Sequence, residues 1–157
     1  MKKEDKQLLL KDISARLPYG VKVQIDLQSN IYPPMICKVC NIEFAEMGGS
    51  FIGVEVLPDS YSEYREFLCK PYLFPLSSMT EEQIDELKDL CDMYDPVNDN
   101  DAYEDWGMRL ITKHFMDDGY HFKFNFQLFE FLNKNRLDYC GLIEKELAID
   151  ATGLDIY

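Results

Sequence analysis

The apolar period changes at Pro18-Tyr19-Gly20, and that single change commits the chain to a mixed fold. Before it, Leu8, Leu9, Ile13 and Leu17 fall near i, i+4 and i+8 spacing, which predicts a short amphipathic helix stopped by Pro18 and Gly20. After it, Val21, Val23, Ile25 and Leu27 alternate with Lys22, Gln24 and Asp26, the two-residue repeat of a strand with one buried face. Ser29-Asn30 reads as a turn, and Pro33-Pro34 must lie outside a ladder because neither nitrogen can donate. Met35 to Phe44 is apolar and β-branched enough for a second strand, Met47-Gly48-Gly49-Ser50 reads as the next turn, and Phe51 to Leu57 returns as a third strand. The expected product is a small antiparallel β-meander, SH3-like or a partly open barrel.

Helical signals follow. Pro71 and Pro75 forbid regular helix between Cys69 and Met79, while Tyr72, Leu73, Phe74 and Leu76 suit a tether pressed onto a core. Thr80 is a strong N-cap, with Gln83 three residues on as its capping-box partner and Met79 with Ile84 as a hydrophobic staple. Ile84, Leu87, Leu90 and Cys91 then form one apolar stripe ending near Pro96. After a loop from Asp95 to Asp101, Tyr103, Trp106, Leu110, Ile111 and His114 share one face of a second helix, about Ala102 to Met116, ended by Asp117-Asp118-Gly119. Residues 121–128 fit two patterns: Phe122, Phe124, Phe126 and Leu128 alternate, whereas Leu128, Phe129, Phe131 and Leu132 follow a helical stripe. An extended entry and then a helix from about Asn125 to Lys134 is preferred. A last short helix is expected near Leu142 to Leu147, before an apolar tail, Ala148 to Tyr157. The class is therefore α+β: residues 1–76 form a helix and β-meander, residues 77–157 an acidic module of three to four short helices, and the two are expected to pack as one domain.

Composition limits the function classes. With 157 residues, 46% apolar and 13% aromatic, the chain can bury a core without disulfide staples. Its formal charge of −13 repels phosphate backbones and anionic lipid heads, so no direct nucleic-acid binding and no membrane surface is expected. The charge is unevenly spread: residues 1–75 carry nine basic and ten acidic side chains, residues 76–157 seven and nineteen. Glu81 to Asp105 alone holds eleven acids against Lys88. Charges interrupt every hydrophobic stretch, and the opening residues lead into only three leucines, Leu8 to Leu10, far short of a signal-peptide apolar region. Five scattered cysteines, Cys37, Cys40, Cys69, Cys91 and Cys140, suit reduced thiols. The expected location is the cytoplasm.

Few residues offer chemistry. Cys37-Lys38-Val39-Cys40 has the spacing of a metal knuckle, but there is no second such pair, and positions i and i+3 of a strand face opposite sides of the sheet. His114 and His121 flank Asp117 and Asp118, a set that could serve a metal or a proton transfer, yet Gly119 interrupts the helix between the imidazoles. Asp95, Asp99, Asp101, Glu104 and Asp105 could offer oxygens to calcium but lack the glycine and terminal glutamate of an EF-hand. Ordinary packing and solvation account for each set at least as well. No nucleophile-elbow, Walker, dinucleotide-binding or zincin spacing occurs. No cofactor is expected.

Three groups of phrases carry a resemblance. They are Leu17-Pro18-Tyr19-Gly20-Val21-Lys22-Val23; the run from Lys70-Pro71-Tyr72-Leu73-Phe74-Pro75 through Glu82; and Phe131-Leu132-Asn133-Lys134-Asn135 with Leu137-Asp138-Tyr139-Cys140-Gly141-Leu142-Ile143-Glu144-Lys145. In these the chain resembles a family of small uncharacterised proteins of phages, prophages and mobile elements of Bacteroides-type gut bacteria. Cys140 stands where members commonly carry arginine, and the acidic stretch Asp92 to Asp105 is a further departure. The resemblance implies a phage or mobile-element origin and transfers no catalytic residue. The functional expectation is a non-enzymatic accessory protein that binds a basic host or phage protein through Glu82, Asp85, Glu86 and Asp89. The alternative is a small metal-dependent enzyme or metal-binding module using His114 and His121 or Cys37 and Cys40.

Overall fold

The computed structural model describes residues 1–27, 31, 33–45, 49–57, 60–92 and 126–157. The expected turn at Ser29-Asn30, the Met47-Gly48 half of the turn Met47-Gly48-Gly49-Ser50, the loop Asp95 to Asp101, the helix at 102–116 with Glu104, Asp105 and His114, and His121 with the other residues of 121–125 lie outside them. Backbone contacts divide the chain into two compact units, one built from residues 1–73 and 140–157, the other from residues 74–139.

The first unit begins with α1 (Lys3–Arg16), which buries Leu9, Leu10, Asp12, Ile13 and Arg16 on one face. A single 3-10 turn, Leu17–Tyr19, then closes on Gly20, whose φ of 68° lies in the left-handed region that glycine adopts without strain. The sheet follows: β1 (Lys22–Ile25), β2 (Met35–Ala45), β3 (Gly49–Leu57), β4 (Ser60–Arg65), β5 (Cys69–Leu73) and β6 (Ile149–Asp150). The strand order is β4-β3-β2-β1-β5-β6, antiparallel throughout except for the short parallel pairing of β5 with β6. Alternation decides the buried face: Val23 and Ile25 on β1, Cys37 and Val39 on β2, and Ile52 and Val54 on β3 meet Leu9 and Ile13 of α1 in one core. The register shifts between Val39 and Asn41, so the outward series Ile36, Lys38, Cys40 continues as Asn41 and Glu43.

The α+β class and the three-strand meander are as expected, and the sheet has three further strands, β4, β5 and the short β6 in the expected tail. Ser60–Arg65 pairs with β3, and Cys69–Leu73, expected to be a tether, is a full strand between β1 and β6. Pro71 is accommodated because β6 pairs only from Tyr72 onward. Residues 140–157, grouped with the helices on sequence grounds, belong to the sheet unit. The helix expected at Leu142 to Leu147 is instead a set of turns in which Gly141 and Glu146 take φ of 66° and 58°, and the Leu147 and Ala148 amides both bond the Leu142 carbonyl. One α-type bond forms, from the Lys145 amide to the Gly141 carbonyl, and left-handed Glu146 ends the stretch before a helix can propagate.

In the second unit α2 (Glu81–Asp92) and α3 (Phe126–Lys134) share a core of Leu76, Leu87, Phe131, Leu132 and Leu137. The helix preferred for residues 125–134 is present. These are the two helices of this unit among the described residues, against the expected three to four. The capping box forms as predicted: the Thr80 amide donates to Gln83 Oε1 at 2.9 Å, and the Gln83 amide donates to Thr80 Oγ1 at 3.3 Å. Gln83 Nε2 also donates to Asn135 Oδ1 at 3.1 Å, which ties the start of α2 to the residue after α3. Phe74 closes the unit by bridging Leu137, its amide donating to the Arg136 carbonyl and its carbonyl accepting from the Asp138 amide.

Candidate interaction surface

The capping box fixes where α2 starts, and the start fixes its faces. Leu87 is buried and Leu90 packs against the same core, so one side of the helix is committed. Glu81, Glu82, Asp85, Glu86 and Asp89 are all exposed. Glu81, Asp85 and Asp89 follow one i, i+4 row and Glu82 with Glu86 a second, so the carboxylates form adjoining rows turned away from Leu87. Hydrogen bonds from its own amide and from the Thr80 side chain hold the Glu82 carboxyl below the usual range, although Asp85 opposes them. Carboxylates accept hydrogen bonds without donating any. Ammonium and guanidinium groups fit such a surface; phosphates do not.

The cysteine pair is not a ligand set here. Cys37 is buried in the sheet core and Cys40 is exposed on the other face, the outcome that strand geometry predicts for positions i and i+3. Burial raises the Cys37 thiol and pushes Cys69 up to about 12, with Glu66 and Cys37 adding to the second effect. Cys37 and Cys69 lie on strands separated by β1, each paired to it, so no disulfide can join them without rebuilding the sheet. Among the described residues no group of three or more His, Cys, Asp or Glu side chains is placed to hold a metal.

Three features had weak sequence signals. Asp12 and Arg16 form a fork-to-fork ion pair inside the sheet unit, two contacts of 2.8 Å with both side chains fully buried. Their i, i+4 spacing was visible; their burial was not, because a charged pair beside Ile13 reads as a solvated face. Lys6 Nζ meets Glu66 Oε1 at 2.7 Å, and Glu66 is almost fully buried. Burial alone would raise that carboxyl, but the hydrogen bond and charge of Lys6, with Arg65, keep it lowered. Tyr157 is the third. Its hydroxyl accepts from the Lys22 amide at 3.1 Å and donates to the Tyr72 carbonyl at 2.8 Å, while Lys22 Nζ lies 5.8 Å from the ring centroid and donates to the Ile156 carbonyl.

Comparison with protein-family models, with curated proteins and with solved structures finds no match to this chain. No helix among the described residues is long and apolar enough to cross a membrane.

Proposed function

We propose that this chain is a non-enzymatic accessory protein, of phage or mobile-element origin and cytoplasmic, that binds a basic partner protein through the outer face of α2. The observation that carries the reading is the exposure of Glu82, Asp85, Glu86 and Asp89 on a helix whose start is fixed by a capping box and whose other side is held by Leu87. An ordered row of carboxylates steers a cationic partner and sets its register, whereas the net charge alone would only attract it. The like-charged rows cost a few tenths of a kcal/mol per pair in helix stability. An SH3-like, partly open curl of that sheet is supported by β5 returning to pair with β1 and by the register shifts in β2 and β3.

Zero-length carbodiimide coupling tests the surface directly, because it joins carboxylates only to amines in contact. In a complex captured from host extract, crosslinked peptides are expected to map to Glu82, Asp85, Glu86 and Asp89. Crosslinks confined to other carboxylates would reject this face as the binding surface.

A further inference from the structure

Beyond Val23 and Pro71, Lys22 and Tyr72 form no ladder pair; the Tyr157 hydroxyl stands between them, accepting from the Lys22 amide at 3.1 Å and donating to the Tyr72 carbonyl at 2.8 Å. A group that fills this gap must accept one hydrogen bond and donate another. A carboxylate only accepts and an ammonium only donates, whereas a hydroxyl does both. The ring that carries the hydroxyl is recognised as well. Lys22 Nζ lies 5.8 Å from its centroid, within cation–π reach, and donates to the carbonyl of Ile156, the residue before the ring. Amide, carbonyl and ammonium together form a seat for the phenol of an extended peptide. The occupant can leave without unfolding the sheet: Tyr157 is 40% exposed, and Thr152 to Asp155 are all exposed after Ala151, which is fully buried with its amide bonded to the Leu73 carbonyl. Lifting residues 152–157 opens the seat and leaves Ala151 and the β1–β5 pairs from Val23 to Ile25 in place.

We propose that this seat is a binding site for a tyrosine side chain on a partner's peptide segment, and that residues 152–157 fill it in cis and so guard it. The recognised element is a phenol together with the carbonyl of the residue before it. Phenylalanine leaves the Lys22 amide and the Tyr72 carbonyl without their bridge, and a phosphotyrosine dianion cannot donate to the carbonyl, so the seat selects unmodified tyrosine. A short tether presents Tyr157 to its own seat at an effective concentration of roughly millimolar. A competing segment therefore binds the intact chain weakly and gains affinity as soon as Tyr157 is removed. The seat lies in the sheet unit and uses none of the α2 carboxylates, so it stands or falls apart from the function proposed above.

Amide NMR of the full chain carrying Tyr157→Ala, titrated with synthetic peptides, tests this. One peptide reproduces residues 151–157; a second keeps Ile156 and Tyr157 and has glycine and serine at 151–155. Both are expected to shift the Lys22 amide resonance saturably toward its wild-type position. The same peptides with Phe in place of Tyr should bind about tenfold more weakly. The wild type should need about tenfold or more peptide to reach the same saturation, because its own tyrosine competes. If the variant does not fold, the wild type decides: displacement moves the amides of Leu154 to Tyr157 to unstructured positions while that of Lys22 stays bonded. No saturable change in either protein up to about 5 mM peptide, several times the tether's effective concentration, overturns the proposal. So does a Phe peptide that binds as well as the Tyr peptide, a glycine and serine peptide that fails where residues 151–157 bind, or equal affinity for wild type and variant.

Discussion

At Asp12 and Arg16 the chain buries two charges where two leucines would pack. Such a pair is stable only while both partners remain, since a guanidinium that loses its carboxylate inside a core keeps most of its desolvation cost. Asp12→Ala is therefore expected to destabilise the protein by about 3–5 kcal/mol, whereas the double replacement Asp12→Leu with Arg16→Met should cost much less. Urea unfolding of both variants checks the contrast; equal losses would show that the pair acts through packing alone. The thiols make a second prediction. Cys37 and Cys69 are buried with raised pKa, Cys69 from its ordinary 9.0 to about 12, so the folded state holds their protons more tightly than the unfolded chain does. The contribution of Cys69 to stability is complete below pH 9.0 and is lost progressively as pH rises toward about 12; that of Cys37 is lost in the same direction. A thiol reagent at neutral pH is expected to label exposed Cys40 in the native protein and to reach Cys37 and Cys69 only after unfolding. Rapid native labelling of Cys69 would contradict the core described above.

Among the elements, the rung between β1 and β5 is the one most open to test. Val23 pairs with Pro71, which makes Lys22 and Tyr72 the next rung; in place of a direct bond, the Tyr157 hydroxyl bridges the Lys22 amide and the Tyr72 carbonyl. Tyr157→Phe keeps the ring and removes the bridge, and is expected to cost about 0.5–1.5 kcal/mol and to speed hydrogen exchange at the Lys22 amide. Unchanged exchange there would show that the hydroxyl contributes nothing. The same elements show what could be read from sequence. The first helix, three strands and the α2 capping box were legible because each rests on a local rule: a period, a turn or a cap. β5 was hidden by Pro71, whose tolerance depends on where β6 begins to pair. β4 was hidden because one of its two inward positions is Ser62, which breaks the apolar alternation that marks a half-buried strand. The turns at 141–148 were misread as helix because Leu142, Ile143 and Leu147 have helical spacing, while the left-handed backbone of Gly141 and Glu146 is set by burying Leu142 and Ala148 in the sheet core. The acidic face of α2 was legible in full, because a stripe of Ile84, Leu87 and Leu90 leaves the acids only one side of the helix.

For the whole molecule the central claim is electrostatic: a formal charge of −13, concentrated toward the second half of the sequence, is put to use at one ordered row on α2. Replacing Glu82, Asp85, Glu86 and Asp89 by Gln or Asn removes four charges from exposed positions and leaves Leu87 and the two Thr80–Gln83 bonds in place, while an amide oxygen at position 82 can still accept from the Thr80 hydroxyl. Folding should persist, and helix stability should hold or rise slightly as like-charge repulsion is relieved. The most direct measurement is the association rate of a captured partner with wild type and with this variant, followed across ionic strength. The account predicts fast association that falls steeply with salt for the wild type, and slower association with a flattened salt dependence for the variant. Equal rates and equal salt slopes for the two proteins would contradict it.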